Sequence, residues 1–230
     1  YPQIILPTGC EFSCHYKTSK GRVTQIHLGG IGFDMFDKDI QRILSHNQKS
    51  MRPYVERVLF KLKTKCGIDL CSYDELRARS RSVTVGRKHV AVEMVRQGFA
   101  KNVDDAFDTY LFVTNAAFYA PLSDVASAVT GSGGIASICH LFDYKLDSDE
   151  TNELLSYFKK ITNNQGAIEV FYSSYTEDQK EVLKLMALNY GLLPSAGSDY
   201  HGDGKVTELG HYPYEIFAEM LKNLKMADIY

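Results

Sequence analysis

The sequence predicts an α/β fold that carries an all-helical insertion, and three observations predict it. Apolar, strand-like runs alternate with amphipathic helical patterns at both ends of the chain, with short links between them. Residues from about 50 to 115 carry helical periodicity almost alone. Polar residues of catalytic type recur within or just past the strand-like runs, where α/β folds place their chemistry. The alternation argues a parallel sheet, barrel-like or open.

Taken in order, residues 3–7 read as a short buried strand closed by Thr8-Gly9, and Cys10 to Cys14 resumes an extended segment. Thr18-Ser19-Lys20-Gly21 is a turn, and Arg22 to Gly29 is the returning strand. In it Val23, Ile26 and Leu28 are set against Thr24, Gln25 and His27, with one break of phase. A hairpin across this turn brings Glu11 and His27 into one neighbourhood. From Asp39 the period becomes helical through Ile40, Ile43 and Leu44, and a second helix carries Val55, Val58, Leu59 and Leu62 up to Gly67. Ser72-Tyr73-Asp74-Glu75 is a capping box, so a helix begins near Tyr73. Gly86-Arg87-Lys88-His89 leads into the helix Val90 to Val95, ended by Gly98, and Asn102 caps Val103 to Leu111.

The alternation then returns. A helix over Ser123 to Val129 precedes the apolar strand Ile135 to Cys139, which ends at His140. A helix over about 150–161 precedes the strand Ala167 to Tyr172, and Thr176 opens a helix running to Asn189. Leu192 to Ser195 leads into Gly197-Ser198-Asp199-Tyr200-His201-Gly202, and a last helix covers about Tyr214 to Leu224.

Bulk properties narrow the function. The chain has 230 residues, 44% hydrophobic and 23% charged, which suits a soluble domain with a substantial core. A net charge of −2 gives no global basic field, so stable duplex nucleic-acid binding is not expected. No apolar run reaches the roughly 18 residues of a membrane span, and no secretory leader is visible. Cys10, Cys14, Cys66, Cys71 and Cys139 lack zinc-ribbon spacing and read as reduced, mostly buried thiols of a cytoplasmic protein. A metal pair at Cys10 and Cys14 is the minor alternative. The abrupt start at Tyr1 reads as the beginning of a fragment whose N-terminal part lies upstream.

Asp199 and His201, two residues apart on an extended segment, point to one side and suit a divalent ion. Glu11, His27, His140 and Glu169 also fall within or at the ends of strands. Each has a plainer reading: a core histidine for His140, a solvated or paired carboxylate for Glu169, a lysine partner in the 17–22 loop for Glu11. Together, Glu11, His27, His140, Asp199 and His201 make a candidate multinuclear metal set. His15, His46 and His211 sit in turn-like surroundings and read as surface residues. Arg87 and His89, beside Gly86 at a helix start, are a candidate phosphate clamp or a solvated basic turn.

The ordered set Gly9-Cys10-Glu11, Gln25-Ile26-His27-Leu28-Gly29, Gly86-Arg87-Lys88-His89, Gly133-Gly134-Ile135-Ala136 to His140, Ala167-Ile168-Glu169-Val170 and Gly197 to Gly202 resembles the PHP (polymerase and histidinol phosphatase) superfamily. Its likeness is greatest to the branch with a helical insert that hydrolyses 3',5'-nucleoside bisphosphates and trims short RNA from the 5' end. The resemblance implies a distorted (β/α)7 barrel, here incomplete at its N-terminus, from residues 1–49 and 116–230, with a helical subdomain over 50–115. It implies two or three divalent ions, manganese first and zinc, iron or magnesium next, held by Glu11, His27, His140, Asp199 and His201. It places Arg87 and His89 on the substrate phosphate and His201 or His89 as the proton donor to the leaving group. The substrate implied is a phosphorylated small molecule, nucleotide or short oligonucleotide, hydrolysed by metal-activated water with no membrane partner.

Departures from the pattern are equally specific. The family's opening His-x-His, aspartate and Thr-Asp-His segments have no counterpart in the chain and would precede Tyr1, so activity is assigned to a longer parent. Lys88 and Leu141 stand where the family has proline. A catalytically inactive binding or regulatory domain, and a phosphatase of the histidinol phosphate type, are the alternatives.

Overall fold

Phe12, Cys14 and Tyr16 alternate with Glu11, Ser13 and His15, and this period of two makes Gly9–Lys17 a strand, β1, with one apolar face. The short turn after it, where Thr18 N–H donates to Arg22 O at 2.8 Å, leaves no length for a crossover, so β2 (Val23–Ile31) returns antiparallel. The structure is a computed structural model and describes residues 6–80, 82, 84–111, 118–200, 212 and 214–224. After β2 come α1 (Lys38–Cys66), α2 (Tyr73–Ser80), α3 (Arg87–Arg96), α4 (Val103–Thr109) and α5 (Leu122–Gly131). The chain continues through β3 (Ile135–Ile138), a 3-10 turn at Leu141–Tyr144, α6 (Ser148–Ile161), β4 (Gly166–Tyr172), α7 (Glu177–Tyr190), β5 (Leu193–Gly197) and α8 (Tyr214–Asn223).

Two compact units result, Tyr1–Ile43 with Ala120–Tyr230, and Leu44–Tyr119. In the first, one five-stranded sheet has the order β1-β2-β3-β4-β5. The first three strands pair antiparallel, and β3, β4 and β5 pair parallel because α6 and α7 carry the chain back between them. The sheet is therefore mixed, where the strand–helix alternation alone argued a parallel one. Phe12, Ile26, Leu28, Leu154, Leu155 and Phe158 are among the buried side chains that join the sheet to its helices. Each stabilises by about 1.5–3 kcal/mol relative to exposure. Ile216, Met220 and Leu224 of the α8 region form a further cluster with Ile135 and Ala167.

Three local expectations change. Ile26, Leu28 and Gly30 are buried while Val23 is 36% exposed, so the strand's buried phase starts at Ile26 and runs through Leu28 to Gly30. Leu6 is 82% exposed, and residues 6–8 are neither helix nor strand; the rest of the strand expected over 3–7 lies outside the described residues. The two helices expected between Asp39 and Leu62 are one helix, α1, with Pro53 inside it. A proline there removes one backbone donor without ending the helix, because apolar side chains continue to be buried beyond it, at Tyr54, Val55 and Leu62.

The second unit is helical among its described residues. Tyr54, Val55, Leu62, Leu76, Val90, Met94 and Leu111 form its core. Ser72 and Glu75 exchange the reciprocal bonds of the capping box at α2, and the Asn102 side chain accepts from Asp105 N–H at α4. Gly67 and Gly98, at φ 69 and 79, end α1 and α3 in the conformation glycine favours. Among the described residues no helix is long and apolar enough to cross a membrane.

One carboxylate in this unit is buried with its partners complete. Glu93, 4% exposed, accepts from Arg96 at 2.6 and 2.8 Å, from Arg79 at 2.6 Å and from Gln97 at 2.7 Å. The Arg96 hydrogen bonds lead in holding its carboxyl down to about 2, with Gln97 and Arg79 adding to them against the opposing effect of burial. A carboxyl depressed in the folded state stabilises above its unfolded value near 4.5 and loses that contribution as pH falls toward 2. Thermal unfolding from pH 6 to pH 2.5 will show this loss, and Glu93→Gln will flatten it. At pH 7 Glu93→Ala will cost on the order of 1–3 kcal/mol, moderated because both arginines are half-exposed.

Candidate metal centre

The pairing of β1 with β2 sets Ser13 opposite His27 and Glu11 opposite Gly29, so Glu11 and His27 are diagonal neighbours on one face. Glu11 Oε1 lies 2.6 Å from His27 Nδ1 and 3.7 Å from His140 Nε2. The two imidazoles meet at 3.1 Å between His27 Nδ1 and His140 Nε2, edge to face. Gln25 Nε2 lies 2.7 Å from His27 Nε2 and fixes the far side of that ring. Three ligand atoms, one each from Glu11, His27 and His140, thus all lie within 4.8 Å of one another.

His140 arrives from β3, the apolar strand whose every residue is buried. Its backbone is left-handed, φ 30, and turns the chain sharply off the strand end. Two side chains hold that corner. Glu169 on β4 accepts the His140 N–H at 2.7 Å through Oε2. The Tyr144 hydroxyl donates to Cys139 O at 2.7 Å and accepts His27 N–H at 2.9 Å, tying β2 to the corner. Of the two plainer readings of Glu169, solvated or paired, one holds. The carboxylate is paired and only 7% exposed. Gly197 on β5 packs so close that an added Cβ would overlap Glu169 Oε1.

Electrostatics sort these carboxyls into two kinds. Burial alone would raise the Glu11 carboxyl, but hydrogen bonds from His140 and His27 and their charges outweigh it and hold it far below the ordinary range. For His140 burial acts downward, and Glu11, Asp143 and Glu169 together raise it above the usual imidazole value. Glu169 goes the other way: burial foremost, with Glu11 and Asp199 adding to it, pushes it up to about 7.

A divalent cation fits this chemistry. One carboxylate oxygen and two imidazole nitrogens are a donor set for borderline ions. His140 Nδ1 is buried without a hydrogen-bond partner, with Asp143 Oδ2 3.6 Å away. A His140 ring with one nitrogen in the cluster and the other lacking a partner is short of one polar neighbour.

The remaining expected residues are placed as follows. Asp199 lies two residues beyond β5 at φ 50, so the run is not extended there and the alternation argued for residues 199 and 201 does not apply. Tyr172 Oη is 3.5 Å from Asp199 Oδ2, and Asp199 is not among the three residues of the compact group. His201 and His211 lie outside the described residues. Cys14 Sγ donates to Ile26 O on the opposite face, and all five cysteines are free. His15 N–H donates to Ala120 O at 3.0 Å, and His46 Nε2 lies 3.1 Å from Phe118 O. Glu11 takes histidine partners rather than a lysine of the 17–22 loop.

Arg87 and His89 belong to the second unit, at the first turn of α3. Arg87 Nη1 donates to Leu111 O at 2.9 Å, and its guanidinium stands 5.2 Å from the Phe107 ring centre. His89 Nδ1 accepts Gly86 N–H at 3.1 Å, and burial foremost lowers its imidazole. The Gly86 N–H considered for an oxyanion is thus bonded within the turn.

Sequence reasoning did not find Tyr144. Its one visible signal was an aromatic with a polar tip four residues past a strand-end histidine.

No protein-family model matches the chain. It is 30% identical over 211 residues, 90% of its length and 73% of the relative's, to a 5'-3' exoribonuclease of Haemophilus influenzae. The chain belongs to the PHP family of metal-dependent phosphoesterases. A 3',5'-nucleoside bisphosphate phosphatase of Chromobacterium violaceum is 27% identical over 200 residues, covering 85% of the chain and 69% of the relative. Among solved structures, a protein from Bifidobacterium adolescentis assigned as a metal-dependent phosphoesterase covers 97% of the chain and 78% of its own, with TM-score 0.77 and 23% identity. An amidohydrolase of Chromobacterium violaceum, solved with sulfate and no metal, matches at TM-score 0.78 and 24% identity over 95% of the chain and 77% of its own. The two structures establish a shared fold. As a PHP protein the chain is a hydrolase of phosphate esters that depends on divalent metal.

The bridging role of Tyr144 has a measurable cost. Tyr144→Phe leaves His27 N–H and Cys139 O without this partner and will lower stability by about 1–3 kcal/mol in denaturant unfolding. The same change at half-exposed Tyr157 will stay within about 0.5 kcal/mol.

Proposed function

We propose that the chain forms the body of a cytoplasmic phosphoesterase that releases phosphate from a nucleotide of the 3',5'-bisphosphate type or trims a short oligonucleotide. The convergence of Glu11, His27 and His140 on one face of the sheet carries this reading. The names of the two relatives, an exoribonuclease and a nucleoside bisphosphate phosphatase, support the substrate class. In this reading the five strands belong to a distorted (β/α)7 barrel, and residues 50–115 are its helical insertion.

Glu11, His27 and His140 would hold the metal, manganese first, with Asp199 and His201 completing the set. When bound, the ions activate water near neutral pH and neutralise charge on the phosphoryl oxygens. The protein's own groups do the rest. Glu11 stays ionised across the working range because both imidazoles favour its charged form. Glu169 and Tyr144 keep the two rings oriented through their backbone bonds. Arg87 would pair with the substrate phosphate as a fixed guanidinium. His89 or His201 would pass a proton to the leaving oxygen, and at His89 the burial that lowers its imidazole opposes holding that proton.

Manganese content and phosphate release test the reading together. The full-length protein loaded with manganese will release phosphate from adenosine 3',5'-bisphosphate. Glu11→Gln will lose at least half of the bound metal and about a hundredfold or more in rate. Unchanged metal content in Glu11→Gln, or no metal-dependent release from any of a panel of phosphoesters, would reject it.

A further inference from the structure

Charge is divided unevenly along this chain. Residues 44–119, the helical unit, hold 13 Lys and Arg against 8 Asp and Glu, net +5. The remaining residues hold 13 against 20, net −7. The overall charge of −2 hides this division. Within the helical unit the excess gathers on α1, where residues 49–66 carry six Lys or Arg and a single acid, Glu56.

We propose that the exposed face of α1 around Lys49, Arg57, Phe60 and Lys61 binds single-stranded nucleic acid. At 3.6 residues per turn these four positions fall within about a third of the helix circumference. All four are exposed, and the Val55 and Leu62 positions that enter the core lie on the opposite side of the helix. Two other cations of the helix are committed elsewhere, Arg52 to Glu56 and Asp74 and Lys63 to Asp69. Lys49 and Arg57 make no ion pair among the described residues, so their charge is open to a partner. Phe60 lies between them and Lys61 with 67% of its surface exposed.

Cations that track phosphates around an exposed aromatic ring are the chemistry of sequence-tolerant single-strand binding. Lys49 to Lys61 spans about 18 Å of helix, which suits the short end of the roughly 4–16 nucleotides such surfaces cover. A duplex buries its bases and leaves the ring without a partner, whereas a single strand offers both phosphates and base faces. The inference rests on the nucleotide-directed reading above and adds a binding surface outside the candidate metal centre.

Fluorescence anisotropy of the full-length protein with a labelled 5'-phosphorylated RNA 10-mer in EDTA tests it, alongside phosphate release from adenosine 3',5'-bisphosphate with manganese. Lys49→Glu/Arg57→Glu is expected to weaken RNA binding at least tenfold and make the log–log salt slope shallower by about 1.4. Phe60→Ala is expected to weaken it about tenfold with the slope unchanged. Bisphosphate hydrolysis is expected to be the same in all three proteins. RNA affinity equal in the wild type and both variants, with hydrolysis intact, overturns this proposal alone. Variant-sensitive RNA binding in a chain that hydrolyses nothing supports it and overturns the activity reading instead. Binding that follows the charge reversal but ignores Phe60→Ala, with polyphosphate competing equally, identifies a general polyanion patch and overturns it.

Discussion

The candidate centre depends on the register between β1 and β2. Nine residue pairs, from Gly9 with Ile31 to Lys17 with Val23, set which side chains share a face. With this register Phe12, Cys14, Ile26 and Leu28 enter the core, and Glu11 and His27 meet on the other side. A slip of one residue would turn one strand's polar set toward the core and separate the pair. The apolar face therefore specifies the polar one: burying four core side chains fixes where a carboxylate and an imidazole are held.

Bringing His140 to that pair requires a backbone conformation that costs about 1–2 kcal/mol for a residue with a side chain. The surroundings offset it. A carboxylate accepts the His140 N–H, and a buried phenol bridges Cys139 O and His27 N–H. Hydrogen bonds to a charged acceptor are worth more than neutral ones, yet Glu169 sits where burial raises its proton affinity. Holding the corner and keeping that carboxylate ionised are therefore opposed, and Glu11 a short distance away has the opposite balance. Two glutamates on one sheet are thus given different proton affinities by their neighbours.

Much of this was legible in residues alone. Period-two alternation found β1, glycines and caps such as Gly67, Gly98, Asn102 and the Ser72 box found several helix ends, and the placing of Glu11, His27 and His140 within or just past strands pointed to one site. Other features depended on contacts that one-dimensional pattern does not carry. Nothing in the spacing of Pro53 told an interrupted helix from a continuous one, because burial beyond it decides the matter. The mixed sheet was hidden because a local alternation gives the elements and not the direction in which β3 meets β2. Asp199 was read as extended from its neighbours, while the chain leaves β5 in a left-handed turn. Glu169 could not be told from a solvated carboxylate, since its partner is a backbone N–H contributed 29 positions away.

Gly197 has a wider meaning than its place in β5. The room beside it is filled by the end of a neighbouring carboxylate, so the sheet measures the length of the side chain at position 169. A side chain gained at 197 would have to push aside the carboxylate that accepts the His140 N–H. In this chain a residue with no side chain helps to set the geometry of the centre, although it offers that centre no ligand atom.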